Sequence, residues 1–511
     1  MSLNHRLSRF HSRTWVGCLT CLGLVACGNP ESRAPAAAGT PERGPAAAAA
    51  PSLDAPVLPT VEVYLRAEAF DLPAMAFNNP APIRMWGFAE CKEAFTSCGQ
   101  PTVPGPALGV EEGGTLTIHV INGLAGPYVE PVSVVIPGQA ATMNPVWFDP
   151  VTGSVTATGA RPAGDYTSRV RSFTAETPPD GATVTSYSWT GLRAGTYLYQ
   201  SGSHPAVQMQ MGLFGALLVY PVNSALAYPD PSTAFDAEVT LLFSEIDPVL
   251  HDAIAAGLYG SQPPSPPPAG WLTSTIEYRP QYFFINGQSF RPAMPVLPAG
   301  VRGGRLLIRF LNAGLSNRVP AVQGPYMSVI AEDGHPYMVT SSTGSVLPAP
   351  REQYSVLLPA GKTVDAILVP AAAGDIPVYD RRFGLSNAGT SPGGMLVYLA
   401  VAGTAPSQQP LRLSTTRLVF NTAGLRAVTV RNTGISARVI TGAEIVGGGA
   451  NPAPDAFSVS NTAPVTLAGG SSATFLVSFN PTTTNPTALL NFSTNDPLTP
   501  LLTVRLVGIR R

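Results

Sequence analysis

The stretch Tyr187–Tyr220, YSWTGLRAGTYLYQSGSHPAVQMQMGLFGALLVY, decides the fold. Both of its ends read as strands. Tyr197 to Gln200 follows a Gly-Thr turn signal and is rich in aromatics, and Phe214 to Tyr220 is a nearly continuous apolar run of a length that suits a buried strand. Between them lies a segment read as a loop, with one histidine (His204), two methionines (Met209 and Met211) and glycines. A buried hairpin with imidazole and thioether at its mouth offers a soft ligand set for a metal.

The 511 residues suffice for about three domains. Charged residues make up 12%, about half the usual share, while 45% apolar residues allow a sizeable core. A net charge of −1 argues against a nucleic-acid partner, which needs a basic patch. Glycine (50) and proline (53) are abundant, and short β-branched runs alternate with Gly, Pro, Asn and Asp, so the chain is expected to be all-β sandwich.

The N-terminus reads as a targeting segment. Arg6, Arg9 and Arg13 form a basic region, and Trp15 to Ala26 a short apolar one. Leu24-Val25-Ala26-Cys27 resembles the lipobox of bacterial lipoproteins, which implies a signal peptide over 1–27, lipid on Cys27 and attachment to a membrane. Gly28 in place of aspartate points to the outer membrane. The competing reading is a plain secretory signal with an incidental cysteine. Residues 28–58, rich in Ala, Pro and Gly, form a solvated linker. Cys91 and Cys98 are expected to pair as a small-loop disulfide in an exported protein, in preference to a metal clip, which lacks a nearby histidine.

Three blocks carry a family resemblance: PGPALGVEEGGTLTIHVIN at Pro104–Asn122, EPVSVVIPG at Glu130–Gly138, and GTYLYQSGSHPAVQMQMGLFGALLV at Gly195–Val219. In order and spacing they resemble the first cupredoxin domain of multicopper oxidases, assigned here to residues 59–222. In that family the second and third blocks each carry a His-x-His pair. Here Val135 and Pro137 stand at the first pair, and Gly202 and His204 at the second. Tyr282–Gly287, Arg305–Gly314, Ser328–His335 and Tyr354–Asp365 resemble the family's second domain, often copper-free, over 235–402. After a linker at 402–409, residues 410–511 resemble an immunoglobulin-like domain of the ASH or choice-of-anchor kind, most clearly at Phe492–Pro497. The expected architecture is therefore two cupredoxin-like Greek-key β-sandwich domains followed by an immunoglobulin-like β-sandwich. Trimers and tandem arrangements both occur in the family, which leaves the oligomeric state open.

The ligand inventory limits the chemistry. A type 1 copper needs a thiolate and two imidazoles, and the oxygen-reducing cluster needs many more imidazoles. After the signal only His119, His204, His251 and His335 remain, and no cysteine outside the expected disulfide. A complete oxidase in one chain is excluded. What the resemblance leaves is one copper site, with His204 joined by Met209 and Met211, two apart and so on one face if the segment is a strand. The competing reading packs both methionines into the barrel as gap-fillers and gives His204 a hydrogen bond in a loop. His335, in Asp333-Gly334-His335, reads as a turn residue. His119 reads as mid-strand, structural or exposed, and His251 as lying on the surface of a helical piece, Pro248 to Ala256. Trp86, Trp147, Trp189, Tyr197 and Tyr199 either line a ligand groove or fill sandwich cores. No serine-hydrolase elbow or phosphate-binding glycine loop is read: the G-x-S-x-G match at Gly389–Gly393 runs into the apolar, strand-like stretch Met395–Ala402 and opens no helix.

The expectation is a cell-envelope lipoprotein that resembles multicopper oxidases but acts in binding or scaffolding. It holds at most one copper, with an envelope protein as partner of the C-terminal domain. The alternative is a copper-dependent oxidoreductase with a reduced copper complement around His204.

Overall fold

The computed structural model describes residues 60–508 apart from 74–81, 142, 158–159, 162–163, 165–166, 223–225, 261–262, 383, 404–410, 421–422, 433–436, 449–450, 461–463, 470, 481–484 and 497–498. The signal segment with Cys27, the linker that follows it and most of the 402–409 linker lie outside the described residues.

The first sandwich is built from β1 (Thr60–Leu72), β2 (Ile83–Cys91), β3 (Leu108–Glu111), β4 (Thr115–Asn122), β5 (Val146–Phe148), β6 (Val155–Ala157), β7 (Arg169–Ser172), β8 (Val184–Thr190), β9 (Gly195–Gln200), helix α1 (Pro205–Met211) and β10 (Phe214–Tyr220). One sheet runs β2-β1-β4-β8 and faces a second, β3-β10-β9. A small sheet, β6-β5-β7, is inserted between β4 and β8 in the chain. The alternation in β4 turns Leu116, Ile118 and Val120 inward and leaves Thr117 and His119 outward, as a half-buried strand requires. β10 is buried along nearly its whole length, which explains its unbroken apolar run. The inward residues of β4 and Leu217 and Val219 of β10 share one core with Phe88, Tyr187, Trp189, Tyr197 and Tyr199, while Phe214 and Ala216 on the other face of β10 belong to a separate cluster.

The segment between β9 and β10, expected to be a loop, contains helix α1. Pro205 at its first turn pre-sets a helical φ, and Gly212, at φ 119°, ends it where a side chain would be strained. Met209 and Met211 therefore do not share a strand face. Two residues along a helix turn a side chain through roughly 200°. Met211 enters the first core, and Met209 packs in a separate apolar cluster with Leu198, Phe214, Leu242 and Leu311.

The second sandwich contains β11 (Ala237–Ile246), helix α2 (Pro248–Ala255), β12 (Tyr282–Ile285), β13 (Leu297–Val301), β14 (Leu306–Asn312), β15 (Pro320–Val322), β16 (Met327–Glu332), β17 (His335–Pro336), β18 (Met338–Thr340), β19 (Val346–Pro348), β20 (Arg351–Gln353), β21 (Thr363–Leu368), β22 (Gly374–Asp380) and β23 (Leu396–Ala402). Its large sheet runs β12-β11-β14-β21-β16-β17 and faces β13-β23-β22-β15. Helix α2 leaves this sandwich and packs on the first one, where Leu250, Ile254 and Tyr259 join the first core. His251 is thereby fully buried, its Nδ1 2.8 Å from the Arg84 carbonyl, and not on a helix surface as the sequence reading had it. Burial holds this imidazole below its ordinary pKa.

The two sandwiches meet along β9. Thr196 donates to Asp365 at 2.6 Å, as does Tyr228, and the buried Arg309 reaches Thr196 at 2.8 Å and Glu238 at 3.1 Å. The Asp333-Gly334 turn between β16 and β17 presses on the Tyr197 ring and leaves no room for a Cβ at Gly334. The region after residue 410 forms a third sandwich with its own core around Phe420, Phe475, Phe479 and Phe492. One sheet pairs Gly424–Asn432 with Ser472–Phe479, the other Thr487–Thr494 with Leu501–Gly508 and Arg438–Gly447. In the turn before the last strand Asn495 exchanges bonds with Val439 at 2.9 and 2.8 Å.

Candidate functional site

The turn that leads from β9 into α1 places His204 at φ 38°, in the left-handed region, with its N–H bonded to the Arg171 carbonyl at 2.9 Å. Its Nδ1 lies 3.1 and 3.0 Å from the two carboxylate oxygens of Glu130. One helical turn on, Gln208 donates to the same carboxylate at 3.3 Å and to the Pro131 carbonyl at 2.9 Å. Tyr128 donates to the other oxygen of Glu130 at 2.6 Å. Burial pushes the Glu130 carboxyl up, but the bond and charge of His204 and the bonds from Tyr128 and Gln208 outweigh it. The group ends below its ordinary value. In the neutral imidazole, an ionised Glu130 favours the proton on Nδ1, and Nε2 is then the acceptor atom. The Tyr259 ring lies 5.8 Å from the imidazole.

Beside this dyad, Val135 and Gln200 exchange backbone bonds at 2.9 and 3.0 Å, which brings positions 135 and 202 face to face. A Cβ on Gly202 would come within 2.7 Å of Val135 Cγ1 and 3.0 Å of Ser133 Oγ. The space between them holds valine methyls and small hydroxyls. Ser133 lies 3.0 Å from Ser172, and Ser203 donates to Glu176 at 3.0 Å and lies 3.1 Å from the Ser133 hydroxyl, with Arg171 paired to Glu176.

The remaining expected ligands are dispersed. His119 stands on β4, its Nδ1 2.8 Å from Ser186 and its ring stacked on Tyr64; His251 is buried on α2; His335 is exposed on β17. Cys91 and Cys98 are joined in a disulfide. Met209 and Met211 lie buried in their separate clusters, and the polar partner of His204 is Glu130. Among the described residues no three His, Cys, Asp or Glu side chains come together as a metal site would need. The donors present do not fit a multicopper centre.

A cavity of about 580 Å³ opens next to Val135 and Pro137, between β8, residues 134–139, 141 and 143–144, and the turn after β7. Trp189, Tyr187 and Phe173 are among its walls. Of the aromatics considered for a groove, Trp189 lines it; Trp86, Tyr197 and Tyr199 fill the core. Sequence reasoning missed Glu130 and Gln208. Their signal was present: Glu130 heads the second block, and Gln208 stands four residues from His204, a helical spacing.

No protein-family model matches the chain, and no curated protein matches it. Among solved structures it is similar to the blue copper oxidase from Nitrosomonas europaea, at 18% identity over 67% of this chain and 86% of that one, with a TM-score of 0.46. The copper nitrite reductase from Nitrosomonas europaea aligns at 20% identity over 67% and 94%, with a TM-score of 0.43. The multi-copper oxidase from Pseudomonas thermotolerans aligns at 14% over 88% and 100%, with a TM-score of 0.42. Similarity at this distance says nothing of chemistry.

Proposed function

We propose that this chain is a cell-envelope lipoprotein, held to the membrane through lipid on Cys27, in which a scaffold resembling multicopper oxidases serves binding and not oxygen reduction. The observation that carries this reading is the closure of the facing positions 135 and 202. Where the resemblance implies imidazoles, Val135 fills the space and Gly202 has no side chain. The disulfide at Cys91 and Cys98 ties up the only thiols left after the signal. At most one copper is held, at His204. The immunoglobulin-like C-terminal sandwich is the surface offered to a protein partner in the envelope.

The second reading is an oxidoreductase with a reduced copper complement. One observation favours it: a carboxylate on Nδ1 and a free Nε2 is how a metal-ligating histidine is commonly oriented. The chain from Gly28, freed of the lipidated Cys27 and loaded with copper, separates the two by bound metal, oxygen uptake with phenolic or metal-ion substrates, and unfolding temperature. Stoichiometric copper with turnover that is lost in His204→Ala overturns the binding reading. No bound copper and no copper-dependent rise in unfolding temperature overturns the oxidoreductase.

A further inference from the structure

We propose that the cavity beside Val135 binds an uncharged, largely apolar organic molecule, which gives the binding reading above its ligand class and rests on it. Three features of the cavity point there. Among the described residues its lining contains no carboxylate, ammonium, guanidinium or imidazole, although such groups stand close by in the dyad and in the Arg171–Glu176 pair. A charged ligand would enter without a counter-charge and lose its hydration there. Second, Phe173 and Met143 at its walls are each 47% exposed and give the cavity apolar surface open to a ligand.

Third, most polar groups of the lining are already engaged. Gln139 bonds the Arg193 backbone at 3.0 and 3.1 Å, Ser188 lies 2.9 Å from Thr117, and the Tyr187 hydroxyl donates to the Ala175 carbonyl at 2.9 Å. The side-chain amides of Gln200 and Asn144 have no hydrogen-bond partner among the described residues. Apolar walls with a few free polar groups are the usual make-up of a small-molecule site, and about 580 Å³ falls within the ordinary size range of such sites.

The test uses the mature chain and two dyes with one ring skeleton, neutral N-phenyl-1-naphthylamine and its anionic sulfonate, 8-anilinonaphthalene-1-sulfonate. The neutral dye is expected to bind saturably, one per chain, and at least tenfold more tightly than the sulfonate. Ala141→Trp, which places a bulky ring in the cavity from an exposed position, is expected to weaken the neutral dye at least tenfold with an unchanged unfolding midpoint. Phe173→Asp, also at an exposed position, is expected to do the same by bringing a charge to the walls. Absence of saturable binding, equal affinity for both dyes, or undiminished binding in both variants overturns the proposal. Copper content and oxygen uptake are read separately. A chain without copper that also ignores the dye refutes the ligand class alone, and copper turnover alongside saturable dye binding refutes the non-oxidase reading alone.

Discussion

Gly202→Ala tests whether the facing positions 135 and 202 are closed by packing. The backbone of Gly202 is outside the left-handed region, so alanine is free of backbone strain there and gains about 0.4–1 kcal/mol from a less flexible unfolded chain. The obstacle is steric: the new Cβ falls 2.7 Å from Val135 Cγ1. Val135 is 9% exposed and tied through its backbone to Gln200, so it cannot step aside. Overpacking of this kind costs about 1–3 kcal/mol, and a net loss of about 1–2 kcal/mol is expected. Val135→Ala alone removes two buried methyls, about 1.6 kcal/mol at ~0.8 each, with a further term for the space left. In the double variant the clash with the valine methyls is gone and only the 3.0 Å approach to Ser133 Oγ remains, so Gly202→Ala loses most of its cost on the Val135→Ala background. The coupling energy is then about 1–3 kcal/mol. Urea unfolding followed by tryptophan fluorescence reads it, because Trp86, Trp147 and Trp189 all belong to the first sandwich. Additivity within about 0.5 kcal/mol refutes the reasoning. Val135 would then not fill the space that Gly202 faces, and the closed ligand position would go with it.

Other perturbations follow from the same contacts. Arg309→Met strips the buried Asp365 of its cation at 3.7 Å and is expected to cost about 3–5 kcal/mol in thermal unfolding, with partial recovery on adding Asp365→Asn. The Glu130 carboxyl is held below its ordinary 4.5, so its contribution is present above that pH and is lost as pH falls through the lowered value. The destabilisation by Glu130→Gln, measured by denaturant midpoint, should therefore shrink on acidification. His251 is held below its ordinary 6.5 by burial, so stability falls as pH drops under 6.5, and His251→Gln should flatten that part of the pH profile. Replacing Cys91 and Cys98 by alanine opens a loop of sequence separation 7 and is expected to cost about 2–3 kcal/mol, checked by comparing melts of the variant and the oxidised parent.

The all-β class and the strands of the opening stretch were legible in the chain itself. Alternation in Thr115–Asn122 and the unbroken apolar run Phe214–Tyr220 report one-sided and two-sided burial, which are local properties of a strand. The count of histidines and cysteines was equally legible, because a ligand that is absent from the chain is absent from every fold of it. The helix between the two strands was not. A seven-residue helix is too short to show a period, and its evidence is a proline at one end and a glycine at the other. The misreading put Met209 and Met211 on one face, when their directions depend on that helix. Nor could the chain show that α2 crosses to the first sandwich and buries His251, or that Glu130, 74 residues from His204, is its partner. Composition and periodicity determined which residues could be inside and what chemistry the inventory allows. Tertiary structure alone decided which of them meet, because those contacts join segments that are distant in sequence and share no local pattern.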